Sequence, residues 1–84
     1  MIATTTVAEL ELVENYVENT QYGPYPVRAR KVETVVRYDE GRYAGKLELR
    51  VAYWRNGQRM PGYSDGNPTA IEAALERAAS EARS

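Results

Sequence analysis

The chain has 84 residues, a net charge of −1, and neither cysteine nor histidine. A single domain of this length buries only roughly 60% of the surface its unfolded chain exposes. No disulfide can staple it, and Cys/His zinc sites, Ser-His-Asp triads and Cys-His pairs are all excluded. Residues 1–84 are therefore read as one small domain, non-enzymatic and without metal or cofactor, for which a homodimer is one way to add buried area.

The charge is unevenly spread. Residues 1–26 carry four acids and no base, residues 27–59 nine bases against four acids, and residues 60–84 two bases against four acids. In the first segment, Thr6-Val7-Ala8-Glu9 has the spacing of a capping box, and Val7, Leu10, Val13 and Val17 recur at near-helical intervals. A strand competes with this reading, because Thr4-Thr5-Thr6-Val7 is rich in β-branched residues and Glu9-Leu10-Glu11-Leu12 alternates. Residues 4–18 are thus either an N-terminal helix, which the capping box favours, or an extra strand.

NTQYGPYPVR, residues 19–28, follows. Gly23-Pro24 and Pro26 predict a loop of about ten residues, long enough to bind a partner. Tyr22 and Tyr25 flank the break and offer contact area at low entropic cost, although in a chain with seven tyrosines and no phenylalanine some must serve the core. KVETVVRY, residues 31–38, reads as a strand. Arg28 and Arg30 fall on its Val32 face and would be buried if the strand began earlier, so a start near Lys31, or a bulge, is expected. DEGRYAG, residues 39–45, is a turn.

GKLELRVAYWR, residues 45–55, alternates most clearly. Leu47, Leu49, Val51 and Tyr53 point inward, while Lys46, Glu48, Arg50, Ala52 and Trp54 point outward. Trp54 is then either an exposed anchor beside Arg50 or is covered by another segment. Asn56-Gly57 predicts a tight hairpin turn with positive φ angles. The return strand, Gln58 to Ser64, contains Pro61 and must lie at an edge or be bulged. Asn67 and Pro68 suit the start of a helix. In PTAIEAALERAASEARS, Ile71, Ala74, Leu75, Ala78 and Ala82 share one face, with Glu72, Glu76, Arg77 and Glu81 directed to solvent.

The expected fold is α+β: a three-stranded antiparallel sheet with a C-terminal helix packed on one face. Over residues 46–82 the strand KLELRVAYW, the Asn-Gly hairpin, the PGYSDG return strand and the alanine-rich helix resemble the double-stranded-RNA-binding domain. That resemblance implies nucleic-acid binding through a lysine cluster at the start of the last helix. Pro68 to Ala73 has no base, and Asp39-Glu40-Gly41-Arg42 is half acidic where groove contacts would arise, so the phosphate-binding part of the implied function is missing. MPGYSDGNPTAIEAAL is similar to the segment before the helix in HicB-type antitoxins, with Tyr63 where that family tends to have Cys. In size and segregated charge the chain also resembles small phage-encoded inhibitors, including anti-CRISPR proteins, which implies a protein partner.

The expected function is that of a protein-interaction module of the inhibitor type, which binds through Arg28, Arg30, Lys46, Arg50, Trp54 and Arg55 together with Tyr22 and Tyr25. The alternative is nucleic-acid binding by the basic middle. No apolar run approaches the roughly 20 residues of a membrane span, and MIATTTVAELELVENYVE has acids where a signal peptide needs bases, so a cytoplasmic protein is expected.

Overall fold

The computed structural model describes residues 2–83. It contains β1 (Thr4–Thr20), β2 (Gly23–Tyr38), β3 (Leu47–Arg55), β4 (Gln58–Asp65) and α1 (Pro68–Ala82). The strands form a single antiparallel sheet in chain order, β1-β2-β3-β4. The class is α+β as expected, with one helix following the strands, but the sheet has four strands rather than three.

The fourth strand is the first segment of the chain, and the helix favoured there does not form. Of the four residues at helical spacing, only Leu10 is buried; Val7, Val13 and Val17 are exposed. Pairing with β2 satisfies the backbone along the whole segment, from Thr4 opposite Tyr38 to Thr20 opposite Gly23. A shift in register between Thr6 and Ala8 turns Ala8 and Leu10 toward the helix-bearing face. The capping box and the strand propensity were both real local signals, and long-range pairing chose between them.

The ten-residue loop is also absent. β1 and β2 meet through a turn at Gln21 and Tyr22, and β2 begins at Gly23, not near Lys31. Two prolines fit because Pro24 and Pro26 oppose Asn19 and Val17 at positions whose nitrogens point away from β1. The next residue in that series confirms the direction: the Arg28 N–H donates to Asn56 Oδ1 at 2.8 Å, across the opposite edge. Arg28 and Arg30 do share the Val32 face, but that is the face without the helix, so their placement carries no burial cost.

Val35, Leu49, Val51, Ile71 and Ala74 form the core, with Ala8, Leu47, Tyr53, Ala70 and Leu75 packed around it. A helix of 15 residues is about 22 Å long, whereas a strand of 17 residues runs to roughly 55 Å. One helix therefore cannot cover the sheet's length. Beyond the last β2–β3 pair, Ala29 with Arg55, residues 15–20 and 23–28 continue as a two-stranded arm, and the molecule reaches 51 Å along its longest axis.

The local signals in the second half have the expected structures. Asn56 and Gly57 have φ of 49° and 82°. β4 is an edge strand, and its pairing jumps from Val51–Tyr63 to Tyr53–Met60, which places a bulge at Pro61-Gly62. A Cβ on Gly62 would stand 2.2 Å from the Val51 carbonyl oxygen, so only glycine fits there. Asn67 caps α1 by accepting from the Thr69 N–H at 2.9 Å, with Pro68 in the first turn.

Arg77 is exposed on α1 as expected, but its guanidinium also reaches the sheet. Its guanidinium donates to both carboxylate oxygens of Glu33, at 2.8 and 2.6 Å, and Lys31 Nζ lies 3.7 Å away from the same carboxylate. Glu33 is 3% exposed, directly under the helix, between Leu10 and Val51 in the register. The Arg77 hydrogen bonds hold its carboxyl below the usual range against the opposing effect of burial, with the charges of Arg77 and Lys31 adding to the shift. The two-point fork fixes where along the sheet α1 sits.

Candidate functional site

The sheet face away from α1 carries the most concentrated group of interaction-prone side chains. Alternation from the paired registers puts Arg28, Arg30, Arg50 and Trp54 on this face, along with Arg59 of β4. Trp54 is directly opposite Arg30 on one neighbouring strand and Arg59 on the other. The two guanidinium carbons lie 4.4 and 4.9 Å from the indole ring centroid. Trp54 is thus on the outward face and half-buried beneath arginines, not under a further segment of the chain. Contacts of this kind contribute about 0.5–1 kcal/mol each when exposed, and they hold three otherwise mobile side chains as one raised cluster.

Two of the arginines are already neutralised. Arg30 pairs with Glu11 at 3.1 Å, and Arg50 with Glu48 at 3.1 Å. Glu48 also accepts from the Tyr38 hydroxyl. That hydrogen bond, followed by the one from Arg50, lowers the carboxyl's pKa, while the bond to Glu48 is the largest cause that raises that of Arg50. Arg28 and Arg59 take part in no ion pair among the described residues. Beside the cluster, a shallow open depression is floored by Val36 and edged by Thr4, Thr6, Thr34 and Ser64. Its floor and hydroxyl rim can accept apolar groups and hydrogen-bonding partners.

The other expected binding residues lie elsewhere. Arg55 is on the helix side of the sheet and reaches Glu18 of β1, passing over the row that holds Val27. Val27, on the same face, is 2% exposed although it is not part of the core cluster under α1. Lys46 is in the β2–β3 connection, where its N–H donates to the Tyr43 carbonyl at 2.9 Å. Tyr22 is at the tip of the arm and 92% exposed. Tyr25 is on the arm, 50% exposed, with its hydroxyl accepting from Asn56 Nδ2 at 3.5 Å. The eight residues therefore form one group of four plus outliers on the arm, the helix side and a loop.

Arg59 belongs to the basic middle invoked for nucleic-acid binding but not to the residues expected to bind a protein partner. A signal for it existed: a two-residue Asn-Gly turn pairs residue 55 with 58 and residue 54 with 59 by simple counting. Among the described residues, acidic side chains nowhere gather in a group of three that could hold a metal. No helix among them is long and apolar enough to cross a membrane. No family model, curated protein or solved structure matches the chain.

Proposed function

We propose that the protein is a non-enzymatic interaction module that binds an acidic surface of a partner protein through its helix-free sheet face, in the manner of an inhibitor that occludes that surface. The observation that carries this reading is the Arg30–Trp54–Arg59 cluster. Trp and Arg are the side chains most often found at energetic hot spots. Here they are pre-ordered by mutual stacking, so less conformational entropy is lost on binding. The hydroxyl-rimmed depression alongside supplies a polar border.

A nucleic-acid reading draws on the same four arginines, which lie on one face. It is the weaker of the two. Arg30 and Arg50 already face carboxylates, and Trp54 is flanked by arginines on both neighbouring strands, which obstructs base stacking. The lysine cluster implied by the double-stranded-RNA-binding resemblance is missing from the start of α1.

The deciding experiment is affinity capture from the native host with mass spectrometry, using the parent and a Trp54→Ala/Arg59→Ala variant. Capture of a protein by the parent, weakened at least tenfold in the variant, supports the reading. Equal capture by both removes the sheet-face site. Binding to duplex RNA or DNA that weakens steeply with salt would favour the nucleic-acid alternative.

A further inference from the structure

Every open edge of the sheet but one is blocked. β4 is short and carries Pro61 and a bulge. The inner edge of the arm is covered by Asn56 at Pro26 and Arg28, and it carries Pro24 and Pro26 with their nitrogens directed outward. These are the devices by which sheets prevent unwanted strand pairing. The outer edge of β1 has neither. From Ala8 to Thr20 it is regular and free of proline. Because Pro24, Pro26 and Arg28 face away from β1, their partners Asn19, Val17 and Asn15 face away from β2. By alternation, the N–H and C=O groups of Val13, Glu11 and Glu9 also point outward.

The chain is also under-buried for its size. Its accessible surface is 6260 Å², whereas a compact monomer of this mass exposes about 5,000 Å². Its radius of gyration is 15.8 Å, against about 12 Å for a compact domain of this length. The excess of about 1,200 Å² exceeds the roughly 800 Å² that each partner contributes to a stable interface. Exposed apolar side chains concentrate on the same strand: Val7, Leu12, Val13, Tyr16 and Val17.

We propose that β1 pairs antiparallel with β1 of a second copy, about a two-fold axis at Val13. This makes a continuous eight-stranded sheet with both helices on one side. Charge excludes some registers, and the contact of the arm with the second helix chooses Val13 among those that remain. An axis at Glu9 or Glu11 sets a glutamate against itself. With the axis at Val13, Glu11 faces Asn15 of the second copy, Glu9 faces Val17, Glu14 faces Leu12, and no two acids are directly opposed. The same register places Tyr16 of the second copy beside Leu10, at the flank of α1. The arm that its own helix is too short to cover thereby lies against the helix of the other chain. Trp54 and its arginines are on the opposite face and stay accessible, so the proposal does not rest on the partner-binding reading.

The full chain tests this directly. Sedimentation or light scattering should give twice the chain mass for the parent and for Trp54→Ala. Val13→Pro removes only an outward-pointing N–H, as Pro24 and Pro26 do, and should halve the mass while leaving the circular dichroism spectrum unchanged. The chain has no cysteine, so Val13→Cys should oxidise to a disulfide-linked dimer across the axis, and Asn15→Cys should not. A monomeric parent at all attainable concentrations overturns the proposal. So does a Val13→Pro dimer as tight as the parent's, or cross-linking of Asn15→Cys in preference to Val13→Cys.

Discussion

The body and the arm are made from the same two strands, yet they are held together by different means. In the body, β1 and β2 lie beneath α1. Val35, Leu49, Val51, Ile71 and Ala74 exclude water there, and the Glu33–Arg77 fork fixes the helix on the sheet. In the arm there is no helix. The arm is held instead by the Arg55–Glu18 ion pair and by the β3–β4 turn, where the Asn56 N–H donates to the Arg28 carbonyl at 2.9 Å and its side-chain amide donates to the Pro26 carbonyl at 3.4 Å. Strand pairing thus extends the ladder well past the point where the core ends. Two-stranded ribbons are marginal alone, and this one persists because a turn from the neighbouring hairpin is anchored against it.

Four substitutions would break or sharpen that contrast. Gly62→Ala should be the most damaging, on the order of 3 kcal/mol in equilibrium denaturation, because its Cβ meets main chain that cannot give way. Its effect should be global, since the bulge it disrupts sets how β4 lies against β3. Arg77→Ala should cost about 2 kcal/mol. That is less than the 3–5 kcal/mol of a fully buried broken pair, because the Arg77 side chain is 45% exposed and the pair is partly screened.

The Arg77 variant also carries a pH signature. The folded-state pKa of Glu33 lies below its ordinary value of 4.5. Its stabilising contribution is therefore complete above that value and is lost as the pH falls through the lower folded-state pKa. Acid titration of stability should show this loss in the parent and a shallower one in Arg77→Ala. An equally steep titration in both would show that other carboxylates dominate.

Smaller effects belong to the arm. Val27→Ala should cost about 1 kcal/mol, read as faster amide exchange in residues 15–28 with protection at Val35 and Leu49 unchanged. If body and arm lost protection together, they would form one cooperative unit. Tyr22→Ser should change stability by less than about 0.5 kcal/mol, given the residue's exposure at the arm's tip.

The parts of the fold legible in the sequence are those decided by neighbours in the chain. The alternation of β3, the Asn56-Gly57 turn, the edge position forced by Pro61 and the Asn67-Pro68 helix start each follow from a few adjacent residues. β1 was not legible in the same way. Its two local signals conflict, and they are resolved by pairing as distant as Thr4 with Tyr38. The prolines after Gly23 read as a loop because their tolerance depends on which edge of β2 is open, a property of the sheet rather than of the segment. Arg77 is a surface residue, as its place on the helix indicates, but its pairing was not legible, because nothing near it in sequence points to a buried glutamate 44 residues away. Within the candidate site, alternation alone groups Arg50 with Trp54 and separates Arg55 from them. Bringing Arg28 and Arg30 to the same face as Trp54 requires the β2–β3 register.

The strictly sequential strand order has a consequence for how the chain assembles. Each hairpin joins strands adjacent in sequence, so the sheet can form by successive short closures, which favours rapid folding. The contacts of α1 with β1 close the widest loop, so on loop-closure grounds they are expected to form after the four strands. Until they are made, the face bearing Val35, Leu49 and Val51 has no cover, and Glu33 has no Arg77. The interval between completing the sheet and docking the helix is then the period of greatest exposure to aggregation, and the Glu33–Arg77 fork marks its end.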